Sequence, residues 1–333
     1  MTKRAIIVQL MLLALLLAVP LFAEWFDQGH WVKLATRMVI FAMAALALDF
    51  ALGVGGMVSF GHAAFLGLGG YVAGIAFQHD FSSTPFWGIA ASQEILILAP
   101  LAMLAAGLFA AITGLISLRC QGIAFIMITL AFAQMLFYLF VSLRYYNGED
   151  GIALWQRGTL AGSDWLEVPW LFYLLCLSLL VAAYGLFWRL THSTFGIMLK
   201  AASHNPNRLR SLGAMPDRYR LIAFILSGAV TGLAGLLLAN ATYFVGPSFL
   251  SWQNSGHLII MVVMGGMGTL IGPVFGAIAY LGLEEWLPLW LEQIVPGYGQ
   301  HWRLIFGPIL VLIALYARGG LARLLLGPAR HDA

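Results

Sequence analysis

Few side chains in this 333-residue chain could do chemistry, and those few stand alone in apolar surroundings. Asp49 lies within Ala44-Ala45-Leu46-Ala47-Leu48-Asp49-Phe50-Ala51-Leu52, where a carboxylate is costly unless it is paired or wetted. Two roles fit it: a polar station on a solute path, or an acceptor for backbone N–H groups freed at 53–57. His62, after Ser59-Phe60-Gly61, suits either solute contact or a packed, hydrogen-bonded histidine. Gln134 is a lone amide in the apolar run 122–143, a residue type that joins helices within a bilayer by roughly 1 kcal/mol per hydrogen bond. No Ser/His/Asp set, paired carboxylates, metal-ligand spacing or phosphate-cradling G-x-x-x-x-G-K-[ST] can be assembled. Polar groups scattered in this way suit a conduit better than an active site.

The elements that must position them are set by composition. Hydrophobic residues make up 61% of the chain and charged residues 9%, far below the roughly 25% charged content of a soluble domain, and mean hydropathy is +0.90. This predicts an all-α fold, a polytopic transmembrane helical bundle forming one domain over 1–333. The 37 glycines and 11 tryptophans suit close helix packing and interfacial belts. The net charge of +3 belongs to loops and does not suggest nucleic acid. Cys120 stands beside Arg119 and Cys176 inside an apolar run, an arrangement that argues against a structural disulfide.

Apolar segments occur at about 34–52, 58–77, 95–118, 122–143, 170–188, 219–243, 257–283 and 303–318, each near spanning length. Lys3 and Arg4 precede a further run, Ala5 to Val19, which reads either as a cleaved signal peptide or as the first helix entering from the cytoplasm. We count it as a helix. Loops 144–169 and 284–302, poor in Lys and Arg, are expected outside, and the tail with Arg318, Arg323 and Arg330 inside. Both termini are then cytoplasmic in a bacterial inner membrane. Asn147-Gly148-Glu149-Asp150-Gly151 reads as an outer turn, either simply solvated or a docking surface.

Residues 189–218 form a polar, basic insertion with Lys200, Arg208, Arg210 and Arg218 against Asp217. Loops this positive stay in the cytoplasm. A short helix-prone segment there is what an integral protein needs if a soluble partner is to push on it. With 189–218 inside and 284–302 outside, the run 257–283 must cross twice or not at all. Gly265-Gly266-Met267-Gly268-Thr269-Leu270-Ile271-Gly272-Pro273 supplies the break, predicting two short or half-membrane helices joined by an irregular turn. A related break lies at 52–62, and Gly-Gly-Met occurs in both, at 55–57 and 265–267, as a chance match or an internal repeat. Interrupted segments in both halves point to a substrate path near 53–62 and 265–273. Candidate path residues are Asp49, Ser59, Phe60, Gly61, His62, Gln134, Gly265 and Gly266.

LGVGGMVSFGHAAFLGLGGYVA at 52–73, LRCQGIAFIMITLAFAQM at 118–135, the stretch 195–224 and MVVMGGMGTLIGPVFGA at 261–277 occur in that order. Together they resemble the membrane permeases of ABC importers for branched-chain amino acids and urea, and among these the LivM-type subunit. The resemblance covers most of 35–320. It implies a second homologous permease subunit, two cytoplasmic ATPases that bind the ATP, an external solute-binding protein, surrounding membrane lipid, and no cofactor or catalysis in this chain.

Carried onto these positions, the resemblance assigns ATPase coupling to Gly196, Lys200, Ala201, Ala202, His204, Asn205, Arg208, Leu212 and Gly213. Family members often have Arg-Glu-Asn where this chain has Ser203-His204-Asn205, and Asn where it has Asp49. Branched-chain amino acids are the expected cargo on family frequency, with urea, short amides and aromatic or other carboxylates as alternatives. A stand-alone secondary transporter is the competing class, against which the insertion at 196–220 argues.

Overall fold

In a computed structural model the protein is a bundle of α-helices, described for residues 3–25, 29–82, 92–120, 122–294, 301–316 and 319–326. The helices are α1 (Lys3–Trp25), α2 (Gly29–Asp49), α3 (His62–Phe81), α4 (Ile95–Ser117), α5 (Ile123–Ser142), α6 (Pro169–Thr191), α7 (Thr194–His204), α8 (Pro206–Ser211), α9 (Pro216–Thr242), α10 (Trp252–Gly265), α11 (Gly272–Ile294), α12 (Trp302–Tyr316) and α13 (Gly320–Leu326). Six of the described helical segments are long and apolar enough to cross a membrane: Gly29–Val54, Ile95–Ser117, Ile123–Ser142, Pro169–Thr191, Pro216–Thr242 and Gly272–Ile294. The first continues α2 through a π-turn at Phe50–Val54.

Helix α9 is the axis of the bundle. Its 27 residues extend about 40 Å at 1.5 Å per residue, and α2, α3, α4 and α7 pack against it. Glycine permits the closest of these contacts. A Cβ at Gly69 of α3 would strike the Gly232 carbonyl, and one at Gly235 of α9 would strike the Leu66 carbonyl, so the two backbones touch. Small residues serve this purpose where lipid offers no hydrophobic drive between helices. α4 contributes Ala106 and Ala110 to the same axis, against Gly232 and Gly228.

The two ends of α9 carry different structures. Next to its start lie α7 and α8, with Arg210 of α8 paired to Asp217 of α9 at 3.0 Å. Beyond its finish, β2 (Phe244–Val245) pairs antiparallel with β1 (Ile152–Ala153), the one strand pair of the described chain. The segment 144–168 is therefore a built cap. Arg157 is buried there, donating to the carbonyls of Leu166 (2.8 Å) and Asn240 (3.3 Å) and lying over the rings of Phe172 and Tyr243. Asn240, at the end of α9, accepts from the N–H of Gly158 at 2.8 Å. Asn147 and Gly151 of the expected turn both have positive φ.

Two expectations about the chain course need correction. Residues 284–294, read as the start of a loop, belong to α11. Leu283 and Leu287 continue the helix's inward stripe one turn apart and pack on the core, so Glu284, Glu285 and Glu292 ride on a helix that the apolar spacing sustains. The break at 266–271 does separate two helices, but α11 has 23 residues and is a full-length element, whereas α10 has 14. Arg318 and Arg330 of the basic tail lie outside the described residues.

Candidate functional site

The two breaks, far apart in sequence, meet in space. A Cβ at Gly53 would collide with the backbone of Gly268, so these glycines lie main chain against main chain. Asp49, fully buried one turn before Gly53, reaches across and accepts from the N–H of Gly268 at 2.7 Å and of Leu270 at 3.2 Å. Its carboxyl group thus serves the second break, not the N–H groups of 53–57. Those find partners within their own turn: Gly55, Gly56 and Met57 donate to the carbonyls of Phe50, Leu52 and Ala51. Leu270 has φ +58, a conformation unfavourable for a branched aliphatic residue, and the bond from Asp49 holds it there.

Local sequence explains the second turn. Gly266 has φ +115, and a Cβ on it would strike the Gly319 carbonyl just before α13. Thr269 Oγ1 donates to the carbonyl of Gly266 at 2.7 Å and accepts from the N–H of Gly272 at 3.0 Å, closing the turn on itself. A Cβ on Gly265 would run into the Gly272 carbonyl at the start of α11. In both Gly-Gly-Met copies the second glycine, Gly56 or Gly266, has positive φ. The copies share that kink although their surroundings differ.

Residues 59–62 are stitched to three helices by hydroxyl groups. Thr129 Oγ1 on α5 accepts from the N–H of Phe60 at 3.3 Å. Ser255 Oγ on α10 donates to the Phe60 carbonyl at 2.7 Å and accepts from the N–H of Ala63 at 2.9 Å. Ser227 Oγ on α9 donates to the Ala47 carbonyl at 2.5 Å and lies 2.8 Å from His62 Nε2. Ser227 thus stands between the Ala47 carbonyl and the His62 ring, joining α2, α9 and the start of α3. Ser59 Oγ accepts from the N–H of Gly61 at 3.1 Å. Ser59, His62, Ser227 and Ser255 are all fully buried.

The structure therefore brings Asp49, Gly265 and Gly266 into one junction and Ser59, Phe60, Gly61 and His62 into a neighbouring one. Gln134, half-buried on α5, joins neither, and its Nε2 meets no partner among the described residues. Thr129, Ser227 and Ser255 were missed in the sequence reading. Nothing local marks these hydroxyls, since one in an apolar helix can bond its own helix, as Thr129 Oγ1 also does to the Ile126 carbonyl at 2.9 Å. At the breaks the exposed residues are Gly53, Gly56 and Val58 on one side and Met267, Gly268 and Thr269 on the other.

The basic insertion folds as α7 and α8. A Cβ on Gly196 would strike the carbonyls of Leu190 and Thr191, so glycine there lets α7 turn tightly off α6. Ala202 is buried, and its carbonyl accepts from Arg220 Nη2 of α9 at 2.6 Å. Asn205 caps α8 by accepting from the N–H of Arg208 at 3.0 Å. Lys200, His204, Asn205, Arg208, Leu212 and Gly213 are exposed and Ala201 is half-buried, whereas Gly196 and Ala202 face the bundle. Gly213 has φ +82 with open space around it. Leu212 is 77% exposed, with Ile197 and Met215 also bare.

A multi-helix membrane bundle with paired chain breaks and a structured basic protrusion is the architecture of a transport permease. The chain belongs to the family described as "Branched-chain amino acid transport system / permease component", which matches residues 31–315. It is 26% identical to the high-affinity branched-chain amino acid transport system permease protein LivM of Salmonella typhimurium, over 94% of this chain and 74% of that protein. It is 23% identical to the probable LivM of Methanocaldococcus jannaschii, over 89% and 91% respectively. The autoinducer 2 import system permease protein LsrC of Photorhabdus luminescens is 28% identical over 44% of this chain and 46% of its own. No solved structure matches the chain.

Proposed function

We propose that this chain is the permease subunit of an ATP-driven importer that moves a small polar solute, branched-chain amino acids above all, across a bacterial inner membrane. In this reading α7, α8 and both termini face the cytoplasm, and the cap at 144–168 faces a solute-binding protein outside. A second homologous permease subunit completes the path, and two separate ATPase subunits bind and hydrolyse the ATP. The solute passes along the exposed side of the breaks, by Gly53, Val58, Gly268 and Thr269, while Asp49 and His62 hold that wall from behind.

The protrusion carries the reading. In a chain otherwise built for lipid, the segment 194–218 exposes Ile197, Leu212 and Met215 among Lys200, Arg208, Arg210 and Arg218. Bare apolar side chains rimmed by charge mark a docking surface, and the Arg220–Ala202 bond ties this one to the central helix. The path from protrusion to breaks is short: a Cβ on Gly56 would come within 3.0 Å of Ser203 Cβ.

Co-purification of the native complex and uptake of leucine by proteoliposomes test the proposal. Uptake should require ATP on the α7 side and a separate ATPase subunit. Saturable uptake by the isolated chain on a proton or sodium gradient would instead make it a stand-alone carrier.

A further inference from the structure

A cleft of about 220 Å³ opens where the first break, the α4–α5 connection and the end of α7 come together. Met57, Val58, Phe125 and Ile126 give it an apolar wall, and Ser203 and Arg220 its polar part. Arg220 is incompletely satisfied. Its Nη2 serves the Ala202 carbonyl, one of the acceptors that a helix leaves open in its last turn. Its Nε, shielded from solvent, meets no acceptor among the described residues. The nearby Asp217 is engaged with Arg210, and no Asp or Glu is among the residues lining the cleft.

Arg220 is the one charged group among the residues lining the cleft, and a planar carboxylate is the acceptor a guanidinium fits best. We propose that this cleft binds small aliphatic carboxylates, Arg220 taking the carboxylate and the Met57, Val58, Phe125 and Ile126 wall the hydrocarbon. The site lies on the side where the permease reading, on which this inference rests, has the solute leave. Released cargo would therefore rebind there, between α7 and the first break. With no acid in the cleft to take an ammonium group, leucine and its des-amino analogue 4-methylpentanoate should bind alike, and the neutral 4-methylpentanamide should not.

Cys120 lines the cleft and the chain's other thiol, Cys176, is buried, so labelling of the unaltered protein reports on this site. We expect leucine and 4-methylpentanoate to slow modification of Cys120 by a small maleimide several-fold in the full-length chain co-purified with its partners, and the amide to leave it unchanged. Arg220→Gln should remove the protection. Because that change also cuts the bond to α7, Val58→Trp, which fills the cleft from an exposed position, provides a second variant in which protection should vanish. Unchanged labelling with both carboxylates, equal protection by the amide, or protection retained in both variants overturns the proposal. So does protection by inorganic phosphate or by anionic-lipid nanodiscs alone, which would assign the cleft to a phosphate group. ATP-driven leucine uptake without protection of Cys120 would sink the cleft and leave the permease reading standing. Protection without any ATP-driven uptake would do the reverse.

Discussion

Asp49 accepts a 2.7 Å hydrogen bond from the backbone N–H of Gly268, 219 residues further along the chain. With the second bond to Leu270, one buried side chain fastens the two interrupted segments together. Removing it strands the buried N–H of Leu270, while that of Gly268 lies at the exposed side of the break. Asp49→Ala should lower stability by about 1–3 kcal/mol, the cost of leaving one buried N–H unpaired. Asp49→Asn, which keeps an acceptor oxygen, should lose less. Thermal unfolding in detergent, followed by tryptophan fluorescence, checks the order wild type, Asn, Ala.

Gly266→Leu should abolish transport and also loosen the helix packing. The backbone at φ +115 penalises any side chain, and a Cβ would be driven into the Gly319 carbonyl. Gly266→Ala already meets both obstacles and should share the defect. Uptake at the wild-type rate by a stably expressed Gly266→Ala protein would remove this turn from the transport cycle.

Leu212→Glu and Ala202→Glu should fail in different ways. Leu212 is exposed, so the charge should leave the melting temperature of the permease nearly unchanged while reducing ATPase co-purification. Ala202 is sealed against the bundle, and a carboxylate there should destabilise the permease itself by a few kcal/mol. Melting and pull-down measured on both variants distinguish a docking face from a packing face. Gly213→Glu is less clean, since φ +82 adds strain of its own.

Arg157→Ala should release the cap. The guanidinium braces the cap through Leu166 and joins it to the end of α9 beside the Gly158–Asn240 bond, and its loss strands the carbonyls of Leu166 and Asn240. Amide hydrogen exchange at Gly158 and Thr159 should accelerate, whereas α3 and α9 should keep their protection. Unaltered exchange across 157–167 would show that backbone bonds alone hold the cap.

Opposite membrane sides are expected for Asp164→Cys and His204→Cys, each placed in a chain with Cys120 and Cys176 replaced. Both positions are exposed, and they lie beyond different ends of α9. An impermeant maleimide applied to intact cells should label the first and spare the second. Labelling of both, or of His204→Cys alone, would invert or dissolve the proposed topology.

The membrane bundle and both breaks were legible because composition and glycine clustering report directly on solvent and backbone geometry. Parity of crossings asked that 257–283 cross twice or not at all, and the glycines at 265–272 mark where that run divides, though α11 runs on to Ile294. Asp49 was legible as an exceptional residue but not in its partnership, since nothing local says that a carboxyl at 49 will meet N–H groups at 268 and 270. The hydroxyls of Thr129, Ser227 and Ser255 escaped notice for the same reason: each is ordinary in its own helix and informative only beside residues 47 and 60–63. Residues 284–294 read as loop because their acids interrupt the apolar run, although the leucine spacing continues the helix. The inward turn of Ala202 depends on the position of Arg220, which is a property of tertiary packing.

Helix α9 holds Arg220 near its start, Ser227 along its length and Asn240 near its finish, with no break between them. Each residue in a helix turns its successors by roughly 100°. One amino acid gained or lost between 220 and 240 would therefore swing the cap's anchor away from the protrusion's anchor by more than a quarter of a revolution. α9 thus acts as the gauge of this permease, its length fixed to the residue by the anchors it carries at either end.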